Sequence, residues 1–316
     1  MDRAVNVLLV EDSADDAELI LREIRRANGF TILHKRVDTE DALKHAFRTE
    51  EWDAIICDYS LPGFDASRVL ELLEGHNLNT PFILVSGKLT HEQASKVLGR
   101  RSVYAFVPKD GLGTLGAVFH RAILISADYD NMLKSYASVI GLRDYETLGH
   151  SERVTDLTIQ LAETMGIGKA DIIHIRRGAL VHDLGKLAVR DSVLLKNGPL
   201  NDEEMYQMRR HPKLAYDLLK DIVYLKRSLD IPYCHHERWD GKGYPRGLKG
   251  LEIPLHARIF SVADNYDAMT SDRPYRPAIP VRDVLAYILG MREVLFDPDI
   301  VMVFLEMMKR GDDDSR

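Results

Sequence analysis

At 316 residues, with 45% hydrophobic and 29% charged residues, the chain has a globular composition and the length for two domains, which excludes collagen-like, mucin-like and disordered readings. A formal net charge of -7 argues against a nucleic-acid-binding surface, where a basic excess is needed to displace counterions, so an anionic substrate would need a locally positive pocket. The N-terminus runs straight into Val5–Val10 with no basic leader, no apolar run approaches the roughly 20 residues that span a bilayer, and Cys57 and Cys234 form no disulfide framework; the expectation is a reduced, cytoplasmic setting without membrane insertion.

Residues 1–125 alternate short apolar runs with amphipathic stretches, the βα pattern of a parallel sheet. The runs are Val5–Val10, a weaker one near Thr31–His34, then Ala54–Cys57, Phe82–Val85 and Tyr104–Val107, which predicts a five-stranded doubly wound domain. Glu11 and Asp12 follow the first run, Asp58 the third, Ser86 the fourth and Lys109 the fifth. Open parallel sheets bind ligands at the carboxyl ends of their strands, so these side chains are expected on one edge. Three carboxylates there suit Mg²⁺, a hard cation that takes oxygen ligands, and a lysine with a hydroxyl suits a phosphoryl group.

These residues resemble a response-regulator receiver domain of flavodoxin-like fold. The resemblance implies that Asp58 is the phospho-acceptor, that Glu11, Asp12 and Asp58 bind Mg²⁺, that Ser86 and Phe106 are the switch residues, and that Lys109 contacts the phosphoryl group. It implies a cognate histidine kinase as partner. Leu61-Pro62-Gly63 matches the family loop, whereas Asp110 stands after Lys109 where receivers usually carry proline, which puts the cis peptide usual there in question.

From Leu112 to about Tyr145 there is no proline, and Leu115, Phe119, Ile123, Met132, Leu133, Tyr136, Val139 and Ile140 recur at helical spacing. The spacing predicts a long helix joining the two halves, with 126–145 as linker and homodimer seam.

In the second half, 146–316, His182-Asp183-Leu184-Gly185-Lys186 closes an apolar helical run. A buried His-Asp pair needs partners, because an unpaired polar group in a core loses its water. Glu146, His150, His211, His235, His236 and Asp264 lie in the same way at the edges of amphipathic segments. Glu146 and His150, four apart, share one face if the backbone is helical. His211-Pro212 is expected at the end of a charged helix beginning near Asp202, and Gly241 and Gly243 mark a loop that lets backbone approach a ligand. The remaining histidines follow no such pattern. Imidazoles mixed with carboxylates favour iron, manganese or zinc over magnesium, and the absence of thiolates argues against a structural zinc knot. Paired ions of this kind activate water against a phosphodiester, so no Ser or Cys nucleophile is needed.

Across Arg143–Pro277 the motifs His182-Asp183-Leu184-Gly185-Lys186, His211-Pro212, His235-His236-Glu237, Gly243-Tyr244-Pro245, Asp264 with Asp267, and Arg273-Pro274-Tyr275-Arg276 resemble the HD-GYP family, the cyclic di-GMP phosphodiesterase branch of the HD superfamily, which implies an all-α domain. The resemblance implies His150, His182, Asp183, His211, His235, His236 and Asp264 as metal ligands, with Asp183 bridging and Glu146 as the extra carboxylate of three-metal members. Fe or Mn are the expected ions. It implies that Asp183 and Lys186 are catalytic, that Lys186, Arg273 and Arg276 hold phosphate or guanine, and that Gly243, Tyr244 and Pro245 shape the substrate rim. The expected function is phosphorylation-controlled hydrolysis of cyclic di-GMP to pGpG or GMP. The alternatives are a catalytically idle cyclic di-GMP sensor, which the complete ligand set argues against, and a phosphodiesterase for another cyclic dinucleotide.

Overall fold

The computed structural model describes residues 3–26, 29–75, 80–87, 90, 93, 96–97, 100, 103–144, 149–272 and 277–313. The chain divides into two compact units, Met1–Asp130 with Gly168–Ala170, and Asn131–Ile167 with Asp171–Arg316.

In the first unit β1 (Arg3–Val10), β2 (Phe30–Val37), β3 (Ala54–Asp58), β4 (Phe82–Ser86) and β5 (Val103–Pro108) form one parallel sheet in the order β2-β1-β3-β4-β5. All five expected strands are present. Successive side chains alternate across a strand, so both faces of the sheet are apolar. Leu8, Ile55, Cys57 and Leu84 pack with helices α2 (Glu40–Thr49) and α3 (Ala66–Gly75) on one side. Val7, Leu9, Ile56 and Ile83 pack with α1 (Ala14–Arg25) on the other. Ser13 caps α1 by accepting from the Asp16 N–H, which turns the chain immediately after the acidic pair Glu11-Asp12. A short hairpin pairs Ser60–Leu61 with Phe64–Asp65 around Gly63 at φ +86°.

The expected long helix is α4, Leu115–Arg143, preceded by a 3-10 turn at Lys109–Thr114. Its apolar stripe serves two cores. Leu115, Phe119 and Ile123 join the core of the sheet, while Leu133, Ala137 and Ile140 pack with Leu180, Val181, Leu184, Leu219, Leu225 and Leu229. Tyr136 and Val139, on the same helix, are 40% and 51% exposed.

The second unit is helical: α5 (His150–Thr164), α6 (Lys169–Leu180), α7 (Asp191–Leu194), α8 (Asp202–Met208), α9 (His211–Leu219), α10 (Asp230–Cys234), α11 (Leu255–Thr270), α12 (Val281–Gly290) and α13 (Pro298–Asp313). Its main core joins Val154, Leu161, Ile175, Phe260, Ile288, Phe296 and Phe304, drawn from most of these helices. No helix among the described residues is long and apolar enough to cross a membrane.

One expectation is corrected here. His211-Pro212 does not end the charged helix: α8 stops at Met208 and His211 opens α9, with Pro212 in its first turn, where its missing N–H costs no hydrogen bond.

Candidate metal centres

In the second unit, the ends of four helices and the middle of a fifth converge. His150 begins α5, His182 and Asp183 follow α6, His211 begins α9, His235 and His236 follow α10, and Asp264 lies in the middle of α11. Among the described residues they form two donor groups, His150/His182/Asp264 and His211/His235/His236, with ligand atoms within 4.8 Å in each. Asp183 lies between them: Oδ2 is 3.1 Å from His182 Nε2, and Oδ1 is 3.2 Å from His211 Nε2 and 3.8 Å from His235 Nε2.

The orientation of the rings is set from behind. The Nδ1 atoms of His182, His211 and His235 lie 2.7, 2.8 and 3.1 Å from the carbonyls of Ala179, Met208 and Ile231. A carbonyl can only accept, so each Nδ1 carries a proton and each Nε2 is the nitrogen that faces the other donors. His211 Nε2 and His235 Nε2 then face each other at 3.2 Å. This donor set fits transition-metal ions: imidazole nitrogens and carboxylate oxygens, no thiolate, with His150, His182, His211 and His235 each held by a second hydrogen bond through Nδ1.

Electrostatics agree. Burial, with the neighbouring histidines, pushes His235 well below its usual range and His236 to about 3, so both are neutral and available as ligands. Burial alone would raise Asp183, but the charges of Lys186 and His182 outweigh it and keep the carboxyl ionised.

Two residues without an assigned role in the sequence complete the site. Asp267 Oδ2 lies 2.6 Å from His150 Nδ1, and Oδ1 accepts from Arg153 Nε at 2.7 Å, so the carboxylate orients His150 as the carbonyls orient the other rings. Burial acts to raise Asp267, yet these two hydrogen bonds prevail and hold it at about 2. Glu237, buried, accepts from the backbone N–H of Arg246 at 2.7 Å and of Leu248 at 2.9 Å, folding the Gly243-Tyr244-Pro245 loop back over the histidines. Tyr244 stacks on His236 at 4.7 Å, and the Arg209 guanidinium lies 5.5 Å from the Tyr244 ring centre. Gly243 admits no side chain: a Cβ would stand 2.4 Å from the backbone N of Arg238. Lys186 reaches the centre with Nζ 2.7 Å from Asp183 and 2.6 Å from Asp144. Glu146, Arg273 and Arg276 lie outside the described residues.

In the first unit Glu11, Asp12 and Asp58 form a third donor group, again within 4.8 Å, at the carboxyl edge of the sheet. Lys109 Nζ donates to Asp58 at 2.8 Å, lies 3.6 Å from Glu11, and donates to Asp16, a partner that the sequence did not suggest. Arg36 fixes the acidic loop through the carbonyls of Glu11 and Asp12, each at 3.0 Å. Burial pushes the Glu11 carboxyl up. Ser86 is buried at the end of β4, next to the strand that carries Asp58, and Phe106 is half-buried on β5. The described residues hold one cis peptide, Tyr244–Pro245, so the bond after Lys109 is trans.

Comparison with known families matches residues 134–300 to the HD domain and residues 7–114 to the response regulator receiver domain. The chain is 31% identical to a cyclic di-GMP phosphodiesterase response regulator, RpfG, of Xanthomonas campestris, over 96% of this chain and 88% of that protein. It is 29% identical to a cyclic di-GMP phosphodiesterase of Thermotoga maritima, over 96% and 91%. A 3'3'-cGAMP-specific phosphodiesterase of Vibrio cholerae is 36% identical over 53% of this chain and 36% of its own length.

Proposed function

Because the chain belongs to the response regulators that join a receiver domain to an HD domain, we propose that it is an HD-GYP phosphodiesterase hydrolysing cyclic di-GMP to pGpG, with further cleavage to GMP, under control of receiver phosphorylation. The observation that carries this reading is the pair of inward-facing donor groups joined by Asp183, four of their five rings braced from behind. An HD domain implies a divalent metal centre. His150, His182 and Asp264 would hold one ion, His211, His235 and His236 another, with Asp183 shared and Glu146 as the added ligand if a third ion binds. The nitrogen-rich set favours Fe or Mn. Ions bound there supply Lewis acidity toward water and toward the phosphate oxygens. Lys186, Arg273 and Arg276 neutralise the phosphates of the dianionic substrate, and Gly243-Tyr244-Pro245 forms the rim, where Tyr244, its phenol pushed up by burial, stays a neutral donor.

In the receiver, Glu11, Asp12 and Asp58 would hold Mg²⁺, Asp58 accept the phosphoryl group from a histidine kinase, and Lys109 with Ser86 bind its oxygens while Phe106 switches. The exposed Tyr136 and Val139 on α4 support a homodimer seam, and the two buried free cysteines support a cytoplasmic setting. The relative from Vibrio cholerae makes another cyclic dinucleotide the second reading of the substrate.

The test is turnover of cyclic di-GMP and 3'3'-cGAMP by the Fe²⁺- or Mn²⁺-loaded full chain. His182→Ala and Asp183→Ala are each expected to lower kcat by several orders of magnitude, as expected where a metal supplies the chemistry. Undiminished turnover in either variant overturns the site, and preference for 3'3'-cGAMP overturns the substrate. Asp58→Asn, compared with the wild type bearing a phosphoryl mimic, gives the sign of control.

A further inference from the structure

The last two residues before the undescribed segment at 145–148 grip the catalytic turn. Arg143, which ends α4, donates from Nη1 to the carbonyls of Lys186 at 3.1 Å and Leu187 at 2.6 Å, and from Nη2 to the Val189 carbonyl and Asp191 Oδ1, both at 2.7 Å. One guanidinium thus holds the Lys186 and Leu187 carbonyls of the 3-10 turn Leu184–Ala188 that follows His182-Asp183, together with the Val189 carbonyl just beyond it. Asp144 beside it accepts from Lys186 Nζ at 2.6 Å, and the same ammonium is 2.7 Å from Asp183 Oδ2. Lys186 and Asp144 are each 14% exposed and Asp183 7%, so one ammonium lies between two carboxylates in poorly screened surroundings.

An ammonium on Oδ2 competes with cations for the oxygen that also faces His182. The second carboxylate decides how far it does so. We propose that Asp144 is a positioning residue of the phosphodiesterase: it holds Lys186 to the outer side of Asp183, leaving that carboxylate to the metal ions and the lysine aimed at substrate phosphate. With Arg143 it makes the end of α4 part of the catalytic turn, so a shift of that helix is felt directly at Lys186. The inference rests on the phosphodiesterase reading for its kinetic consequence, but not for its effect on metal retention.

The experiment is a double-mutant cycle in the full chain, with Asp144→Asn, Asp144→Glu, Lys186→Met and Asp144→Asn/Lys186→Met, read by Mn²⁺ retention against a chelator and by kcat and KM for cyclic di-GMP. Asp144→Asn is expected to weaken Mn²⁺ retention about tenfold, the lower end for groups that orient a metal site, and to lower kcat more than KM. Asp144→Glu restores both. In the Lys186→Met background the Asp144→Asn change has less than about a twofold effect on Mn²⁺ retention, because there is no ammonium left to place. Lys186→Met alone, which keeps Asp144, strengthens retention. Equal losses from Asp144→Asn in both backgrounds, or none in either, overturn the proposal. If the wild type binds Mn²⁺ but turns over no cyclic dinucleotide, the phosphodiesterase reading fails while the Mn²⁺ cycle still decides the role of Asp144.

Discussion

Gly185 is the position at which the backbone alone sets the spacing of the centre. A Cβ there would stand 1.9 Å from the carbonyl oxygen of His211 and 2.7 Å from the backbone N of Ala215, where ordinary contact begins at 3.4 Å. Both obstacles are main chain, so no rotamer change relieves them. In Gly185→Ala the turn and α9 must part by about 1.5 Å. His211 Nε2, now 3.2 Å from Asp183 Oδ1, moves with α9. Metal–imidazole bonds near 2.1 Å tolerate displacements of roughly 0.2 Å, so an ion between these two side chains loses one of them. The fold cost lies at the upper end of overpacking, about 3 kcal/mol. For a unit of this size that corresponds to a fall of about 6–12 °C in the Tm of its transition. Calorimetry of the full chain gives the shift, and metal analysis after Mn²⁺ loading is expected to show loss of an ion from the His211/His235/His236 group. An unchanged Tm with full metal content would refute the claim that close backbone contact sets this spacing.

Asp267→Asn keeps the shape of the side chain but removes the charge that orients His150; metal retention against a chelator is expected to weaken tenfold to a hundredfold, and unchanged retention would mean that another group holds the ring. The pair Tyr136→Glu and Val139→Glu places like charges on the exposed stripe of α4, so light scattering should report a monomer at concentrations where the wild type self-associates, with helical content intact. A persistent dimer locates the seam elsewhere.

The five strands were legible as short continuous apolar runs and the long helix as a 3.6-residue period, and the carboxyl-edge residues of the sheet followed from where each apolar run stops. The donor residues were legible for a related reason: polar groups at the ends of apolar segments must meet one another. What escaped was pairwise contact across sequence. Asp267 was visible beside Asp264, but its work is done on His150, 117 residues away. Asp16 meets Lys109 across 93 residues. Neither spacing has a local signature. Lys186 was expected to face phosphate, and nothing in the sequence placed it between Asp144 and Asp183. The position of His211 was misjudged although a signal existed, since proline belongs in a first helical turn and Asn201 with Glu204 already caps a separate short helix.

The carboxylate of Glu237, the residue next to His236, ties down the loop that carries Gly243-Tyr244-Pro245, and Gly243 leaves no slack beneath that loop. On the proposed function, selectivity and ion affinity are therefore mechanically coupled through Glu237. An insertion or stiffening between Tyr244 and Leu248, made to admit a different base, would be transmitted as a rotation of two imidazoles. On that reading, redesign of what the site accepts has to begin with what ions bound there would tolerate.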